Sequence, residues 1–169
     1  MKPLLTVAAV MLATSVAAAQ GVEPPRRTPF DAGSIALSAG GGTRLAFGYR
    51  YIALGAGVGY YVLDGVELGL AGQLNFGDGP SISLLSPSLS YVAQPLVGKW
   101  PVVPYVGAFY NHWFIGSGYR DGDAIGGRAG LMYAAGRVVI GLGIAYERIV
   151  SECTDCDDVY PDFTLAFVL

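Results

Sequence analysis

Apolar side chains recur at every second position through most of this chain. In residues 66–76, Val66, Leu68, Leu70, Leu74 and Phe76 alternate with Glu67, Gly69, Ala71, Gln73 and Asn75, so an extended segment has one greasy face and one small or polar face. The same period runs through Ile52, Leu54, Ala56, Val58, Tyr60 and Val62 against Ala53, Gly55, Gly57 and Gly59. It returns in Val138, Ile140, Leu142, Ile144 and Tyr146 against Gly141, Gly143, Ala145 and Glu147, and in Phe163, Leu165, Phe167 and Leu169. The pattern predicts eight strands, near 33–40, 49–62, 66–76, 82–94, 102–114, 125–134, 137–150 and 161–169. Leu84-Leu85 interrupts the alternation and predicts a bulge or a change of phase. Aromatics in both phases leave the facing of 102–114 open.

Turn chemistry supports the same division. Antiparallel neighbours must set greasy residues opposite greasy residues. Pairing Val62 with Val66 and Tyr60 with Leu68 leaves the loop Leu63-Asp64-Gly65, which ends on the residue best able to take φ > 0. Pairing Leu131 with Ile140 places Ala135-Gly136 at the next tip. The remaining connections, 41–47, 77–81, 115–124 and 151–160, are mostly longer and richer in Gly, Asp and Arg. Short turns at one end and longer loops at the other, with an even strand count, describe an all-β, eight-stranded antiparallel up-and-down barrel that crosses a membrane.

Composition decides which face is outside. The chain is 53% hydrophobic and only 14% charged, with 25 glycines and a mean hydropathy of +0.47. A soluble barrel, the lipocalin-like binder alternative, would turn the glycine-lined face to water, where it makes a poor surface. A membrane barrel turns Leu, Val, Ile and aromatics to lipid and encloses the small residues in a lumen that eight strands leave narrow. Transmembrane helices do not fit. The uncharged stretches 79–98 and 100–119 reach spanning length, but hold Pro80, Pro87 and Pro95, and Pro101 and Pro104, and an interior proline costs a helix about 3 kcal/mol. Tyr60, Tyr61, Tyr91, Trp100, Tyr105, Tyr133 and Phe167 fall toward one membrane edge; Phe76, Trp113, Phe114, Tyr146 and Phe163 fall toward the other.

Residues 1–19 read as a secretory signal: Met1-Lys2, an apolar run from Leu4 to Val16, then Ala17-Ala18-Ala19. Residues 20–32, with Pro24, Pro25 and Pro29, read as a flexible periplasmic leader, and 33–169 as the barrel. Without Lys2 there are 9 basic against 13 acidic residues, a net charge of −4, which excludes nucleic acid as a partner class.

Few residues offer chemistry. Cys153 and Cys156 sit in the last external loop, in an oxidising compartment, at a spacing that brings turn ends within about 7 Å, and predict a loop-stiffening disulfide. Glu152, Asp155, Asp157 and Asp158 around them oppose a thiolate redox role, and this acidic cluster has no ordered metal-ligand spacing. The lone histidine, His112, stands in Asn111-His112-Trp113-Phe114 and is expected to be interfacial or lumen-lining. Glu67, Arg128 and Glu147 fall in the inward phase as lumen charges, with a diagonal Arg128–Glu147 ion pair expected. No metal or cofactor is expected.

Pro104-Tyr105-Val106-Gly107-Ala108 is similar to a strand of the small eight-stranded outer-membrane barrels, the OmpA/OmpX-like group, and the mature chain resembles that group over nearly its whole length. Residues 162–169, carrying Phe163, Leu165, Phe167 and Leu169, resemble the C-terminal signal read by barrel-assembly machinery, though Thr164 and Leu169 depart from the usual glycine and aromatic. The resemblance implies a monomer in the bacterial outer membrane, among its lipids and lipopolysaccharide. The expected function is non-enzymatic: structural, or presenting loops to an unknown extracellular ligand. Alternatives are a narrow passive pore and a lipid-modifying barrel enzyme; such enzymes pair His with a Ser two residues on, where this chain has Phe114.

Overall fold

The computed structural model describes residues 28–46, 49–97, 100, 102–116, 118–151 and 157–169. Eight strands follow in chain order: β1 (Ile35–Ala46), β2 (Tyr49–Leu63), β3 (Val66–Gly77), β4 (Ile82–Val92), β5 (Val103–Ile115), β6 (Gly122–Ala135), β7 (Val138–Ile149) and β8 (Asp157–Val168). Each pairs antiparallel with its neighbours in sequence, and β1 pairs with β8, so the sheet closes as a barrel without an edge. Closure lets the backbone of each strand find partners on both sides within the sheet, as a hydrocarbon solvent demands. Among the described residues no helix is long and apolar enough to cross a membrane; the one helical segment is a single 3-10 turn, Gln94–Leu96.

The alternation read from the sequence divides the wall. Ile52, Leu54, Val58, Leu68, Leu70, Leu74, Leu142, Ile144 and Phe163 are exposed on the outside. Their neighbours turn into the lumen. In β5 the inward phase is Val103, Tyr105, Gly107, Phe109, Asn111 and Trp113, which settles the strand whose facing the sequence left open. Tyr61, Tyr105 and Trp113 therefore point inward and leave the aromatic girdles, and Phe163 lies in mid-wall opposite Leu142.

Three expectations shift. Leu84-Leu85 is neither a bulge nor a phase change: Leu84 points in, Leu85 out, and Leu85↔His112 and Ser88↔Phe109 keep one register. The pairing lapses only at Ser86 and Pro87, because proline has no N–H to offer. The irregularity falls instead at the β2–β3 turn, where Tyr60↔Leu68 holds but Leu63, not Val62, opposes Val66 across a register shift. At the β6–β7 hairpin the pairing is Tyr133↔Ile140 and Ala135↔Val138, so the tip is Gly136-Arg137. Gly136 takes φ 63° at the first loop position, a conformation that Ala135 would have had to adopt at the expected tip.

The external connections are also shorter than expected. β1 continues to Ala46, β6 begins at Gly122 and β8 at Asp157, so much of 41–47, 122–124 and 157–160 is wall rather than loop. Residues 1–27 lie outside the described residues, as do Cys153 and Cys156 with the disulfide expected between them.

Candidate functional site

The lumen is built in three layers. At the end that holds the β2–β3 and β6–β7 turns, Phe30 is wholly buried among Tyr61, Val92, Val103, Tyr105, Met132, Val139 and Val168. Its ring meets Tyr61 edge-on, with centroids 5.9 Å apart. The expected leader extends through residue 32, yet residues 28–34 are tied to the barrel. Gly65 N–H donates to Phe30 O at 2.8 Å, Ala32 N–H to Asp64 Oδ1 at 2.9 Å, Gly33 N–H to Tyr61 O at 2.8 Å and Tyr61 N–H to Ser34 O at 3.0 Å. Gln94 Nε2 donates to Asp31 Oδ1 at 3.2 Å. A turn of chain thus crosses the mouth and plants one aromatic in it.

Above this plug lies a cavity of about 760 Å³ lined by serines, glycines and a few charges, among them Ser86, Ser88, Ser90, Glu67 and Arg128. Its walls depend on glycine. Tyr105, Gly130, Gly143 and Asp162 stand opposite one another on four successive strands. The Tyr105 ring lies across both glycines, where any Cβ would collide with it, and its hydroxyl donates to Asp162 Oδ2 at 2.7 Å. One side chain therefore braces β5 to β8. Arg128 uses the same device, leaning over Gly107 so that Nη2 donates to Ser90 Oγ at 3.0 Å and Ser88 Oγ at 3.4 Å. Glu67 lies opposite Tyr61 and folds over Gly59.

At the opposite end, Glu147 is 2% exposed. Its Oε1 accepts from Asn111 Nδ2 at 2.8 Å and Trp113 Nε1 at 3.2 Å, and its Oε2 accepts from the Tyr160 hydroxyl at 3.2 Å. The expected Arg128–Glu147 pair does not form: Arg128 turns toward β4, away from the strand that carries Glu147. Asn111, Trp113 and Tyr160 are among the donors that hold the carboxylate instead.

The outer wall has one chemical boundary. Toward the external strand ends, Arg50, Ser83, His112, Asp123, Arg148 and Asp157 occupy the outward phase, each one step beyond Ile52, Leu85, Tyr110, Ile125, Tyr146 and Val159. Below that boundary the outward phase is apolar to the periplasmic ends. A cation on the lipid face costs about 2–4 kcal/mol at the bilayer midplane and close to nothing at the interface, so the boundary marks the hydrocarbon edge. The band of β7 below it, residues 138–146, has about the nine residues a tilted strand needs to span. His112 thus stands outside the barrel, not in the lumen. Its Nδ1 is 2.7 Å from Asp123 Oδ1, Tyr110 hydrogen-bonds the same oxygen, and the next outward side chain, Phe114, packs edge-on against the imidazole at 4.4 Å. The imidazole is oriented by Asp123, whose own N–H donates to Ser151 Oγ at 2.9 Å, while the outward position two residues on from His112 holds Phe114. Phe163, Leu165 and Phe167 line the outer face of β8, with Leu169 exposed just beyond it.

A closed antiparallel barrel with an apolar outside, a glycine- and serine-lined inside and eight strands is the fold of the small outer-membrane barrels. Among solved structures the chain is similar to the N-terminal β-barrel domain of OprF from Pseudomonas aeruginosa, at 22% identity and TM-score 0.62 over 82% of this chain and 98% of that one. It is also similar to Neisserial surface protein A, NspA (18% identity, 80% and 93% covered, TM-score 0.48), and to the outer membrane protein OprG of Pseudomonas aeruginosa (17%, 82% and 94%, TM-score 0.45). No protein-family model and no curated protein matches the chain.

Proposed function

We propose that the protein is a non-enzymatic, monomeric barrel of the bacterial outer membrane, closed at rest, which acts through its lipid-facing wall and external rim rather than through its lumen. The observation that carries this reading is the plug: Phe30 fills the periplasmic mouth inside a shell of apolar side chains, and a dry apolar constriction opposes passage of water and ions. The outward Phe163, Leu165, Phe167 and Leu169 serve the assembly machinery during insertion, and a Cys153–Cys156 disulfide stiffens the last external loop. The short external connections favour a structural role over extensive loop display.

The test combines fractionation with electrophysiology. The processed chain should partition with outer membranes, require detergent for extraction, and give no steps of conductance in a planar bilayer. Steady conductance from the intact chain would favour the narrow-pore alternative. Hydrolysis of outer-leaflet lipid that is lost in His112→Ala would favour the enzyme.

A further inference from the structure

The β1–β8 seam is joined over only part of its length. Its ladder pairs Ala36 through Ala39 with Val168 through Leu165, and Leu169 N–H donates to Ile35 O at 2.8 Å. Among the described residues it goes no further, although β1 runs on beside β2 to Ala46 and β8 begins beside β7 at Asp157. The lips still meet at Gly40, where an added Cβ would lie 3.7 Å from Phe163 O; one at Gly41 would meet only Ala53 O and Leu54 on β2. Beyond Gly40 the two strands therefore face each other across a slot. Thr43 stands opposite Ile52, and Val159 is the last apolar position before Asp157, so the slot begins inside the hydrocarbon layer. Bare backbone at that depth is tolerated where it lines a water-filled cavity. Gly40 and Gly41 on one lip, and Tyr160, Asp162 and Thr164 on the other, line the lumen cavity. Pro161, in the second lip, has no N–H to leave unpaired.

The slot differs in chemistry on its two sides. Outside, Leu37, Phe163 and Leu165 are exposed and apolar. Inside, Asp162 Oδ2 accepts from the Tyr105 hydroxyl, and its Oδ1 has no partner among the described residues. Arg128, which shares the cavity, is turned toward β4, on the opposite side of the ring. Gly40, Gly41 and Gly42 leave the β1 lip without side chains. We propose that the slot holds a single-chain amphiphile with an amine headgroup: the ammonium passes between the lips to Asp162, and the alkyl chain stays in the bilayer along Phe163, Leu165 and Leu37. A charge-assisted bond to the carboxylate is stronger than one from a neutral head. A carboxylate head would instead meet Asp162 and Glu67 as like charges in the same cavity. A two-chain lipid or a sugar head is too broad to pass between strands that are joined one step away, at Ala39 and Leu165. The inference rests on the outer-membrane reading above and adds to it a ligand class, reached sideways from the membrane with the Phe30 plug in place.

The full processed barrel, purified in a non-ionic detergent, would be titrated at neutral pH with dodecylamine, dodecanol and dodecanoate, and the retained ligand counted by native mass spectrometry. Dodecylamine should be retained about tenfold more strongly than dodecanol, and dodecanoate least. Asp162→Asn, which keeps an oxygen for the Tyr105 hydroxyl, should bring the amine down to the level of the alcohol. Asp78→Asn, in the loop between β3 and β4, should change nothing. A clamp across the slot, Thr43→Cys with Pro161→Cys in a chain that also carries Cys153→Ser and Cys156→Ser, should abolish retention when oxidised and restore it when reduced. Asp162→Asn decides the question whether or not the clamp forms, and far-ultraviolet circular dichroism establishes that each variant is folded. Equal retention of amine and alcohol, an unaltered Asp162→Asn, an equal loss in Asp78→Asn, or retention that survives the oxidised clamp would overturn the site. Displacement by equimolar ethylamine would assign it to a free cation and overturn it too. A chain that stays soluble without detergent would instead overturn the membrane reading beneath it.

Discussion

Glycine in this barrel acts as absent volume at defined places. A Cβ at Gly130 or Gly143 would meet both the neighbouring strand's carbonyl, Leu142 O or Ala129 O, and Tyr105, and one at Gly107 would meet Ser90 Oγ before the Arg128 guanidinium. Gly127, by contrast, lies in the outward phase of β6, where an added Cβ meets only an ordinary contact with the Gly107 carbonyl. Gly143→Ala should therefore displace the Tyr105 hydroxyl and destabilise the barrel by about 1–3 kcal/mol in urea unfolding from lipid vesicles, whereas Gly127→Ala should stay within about 0.5 kcal/mol. Tyr105→Phe should cost a similar 1–3 kcal/mol by leaving Asp162 without its donor. Sequence alternation announces that Tyr105, Gly130, Gly143 and Asp162 belong to a barrel, but not that they meet. Their meeting depends on the summed register of three hairpins, and a slip of two residues in any of them leaves every face unchanged. The β6–β7 hairpin made that slip relative to expectation, and only the φ > 0 requirement at Gly136 decides it.

At the scale of elements, residues 28–34 are the feature that the sequence conceals. Phe30 stands alone among prolines and polar residues, with no periodicity to mark it as core. Its role rests on what the far ends of β2, β4, β5 and β8 bring around it, none of which is near in sequence. Phe30→Ala should lower stability by about 3–5 kcal/mol if the pocket stays empty, and less if the wall relaxes into it. Deletion of residues 20–33 should convert a silent barrel into one that conducts in planar bilayers; an unchanged, silent trace would mean that another constriction seals the lumen. The strands themselves were legible because a period of two survives any error in their ends. The external connections were read too long because Gly, Asp and Ser signal turns whether or not the neighbouring strand is there to extend the ladder, as at Gly122 and Asp157.

For the molecule as a whole, the inverted arrangement has a direct test. Leu142 is 63% exposed in mid-wall. In a soluble barrel Leu142→Arg would be harmless at such a position. Here it should cost about 2–4 kcal/mol in unfolding from vesicles, while the native arginine at position 148 is tolerated because it lies past the hydrocarbon edge. Apolar-out, small-in was readable from composition and alternation together, since glycine is too frequent on one face to serve as a solvated surface. The inward phase was legible for Glu67, Arg128 and Glu147, but their partners were not, because Arg128 and Glu147 reach past the adjacent strand, to Ser90 on β4 and Asn111 on β5, rather than to each other.

The seam of the barrel joins its first strand to its last: Ala36 lies against Val168 and Ala39 against Leu165. No ring can be sealed until both have arrived, and they are separated by almost the full polypeptide, the kind of distant pairing that makes folding slow. Through that whole interval the oily sides of seven partly joined strands have nothing to lie against. Faces left bare for so long invite aggregation, and a polypeptide halted before β8 would lack the strand that seals β1 rather than form a smaller version of the protein.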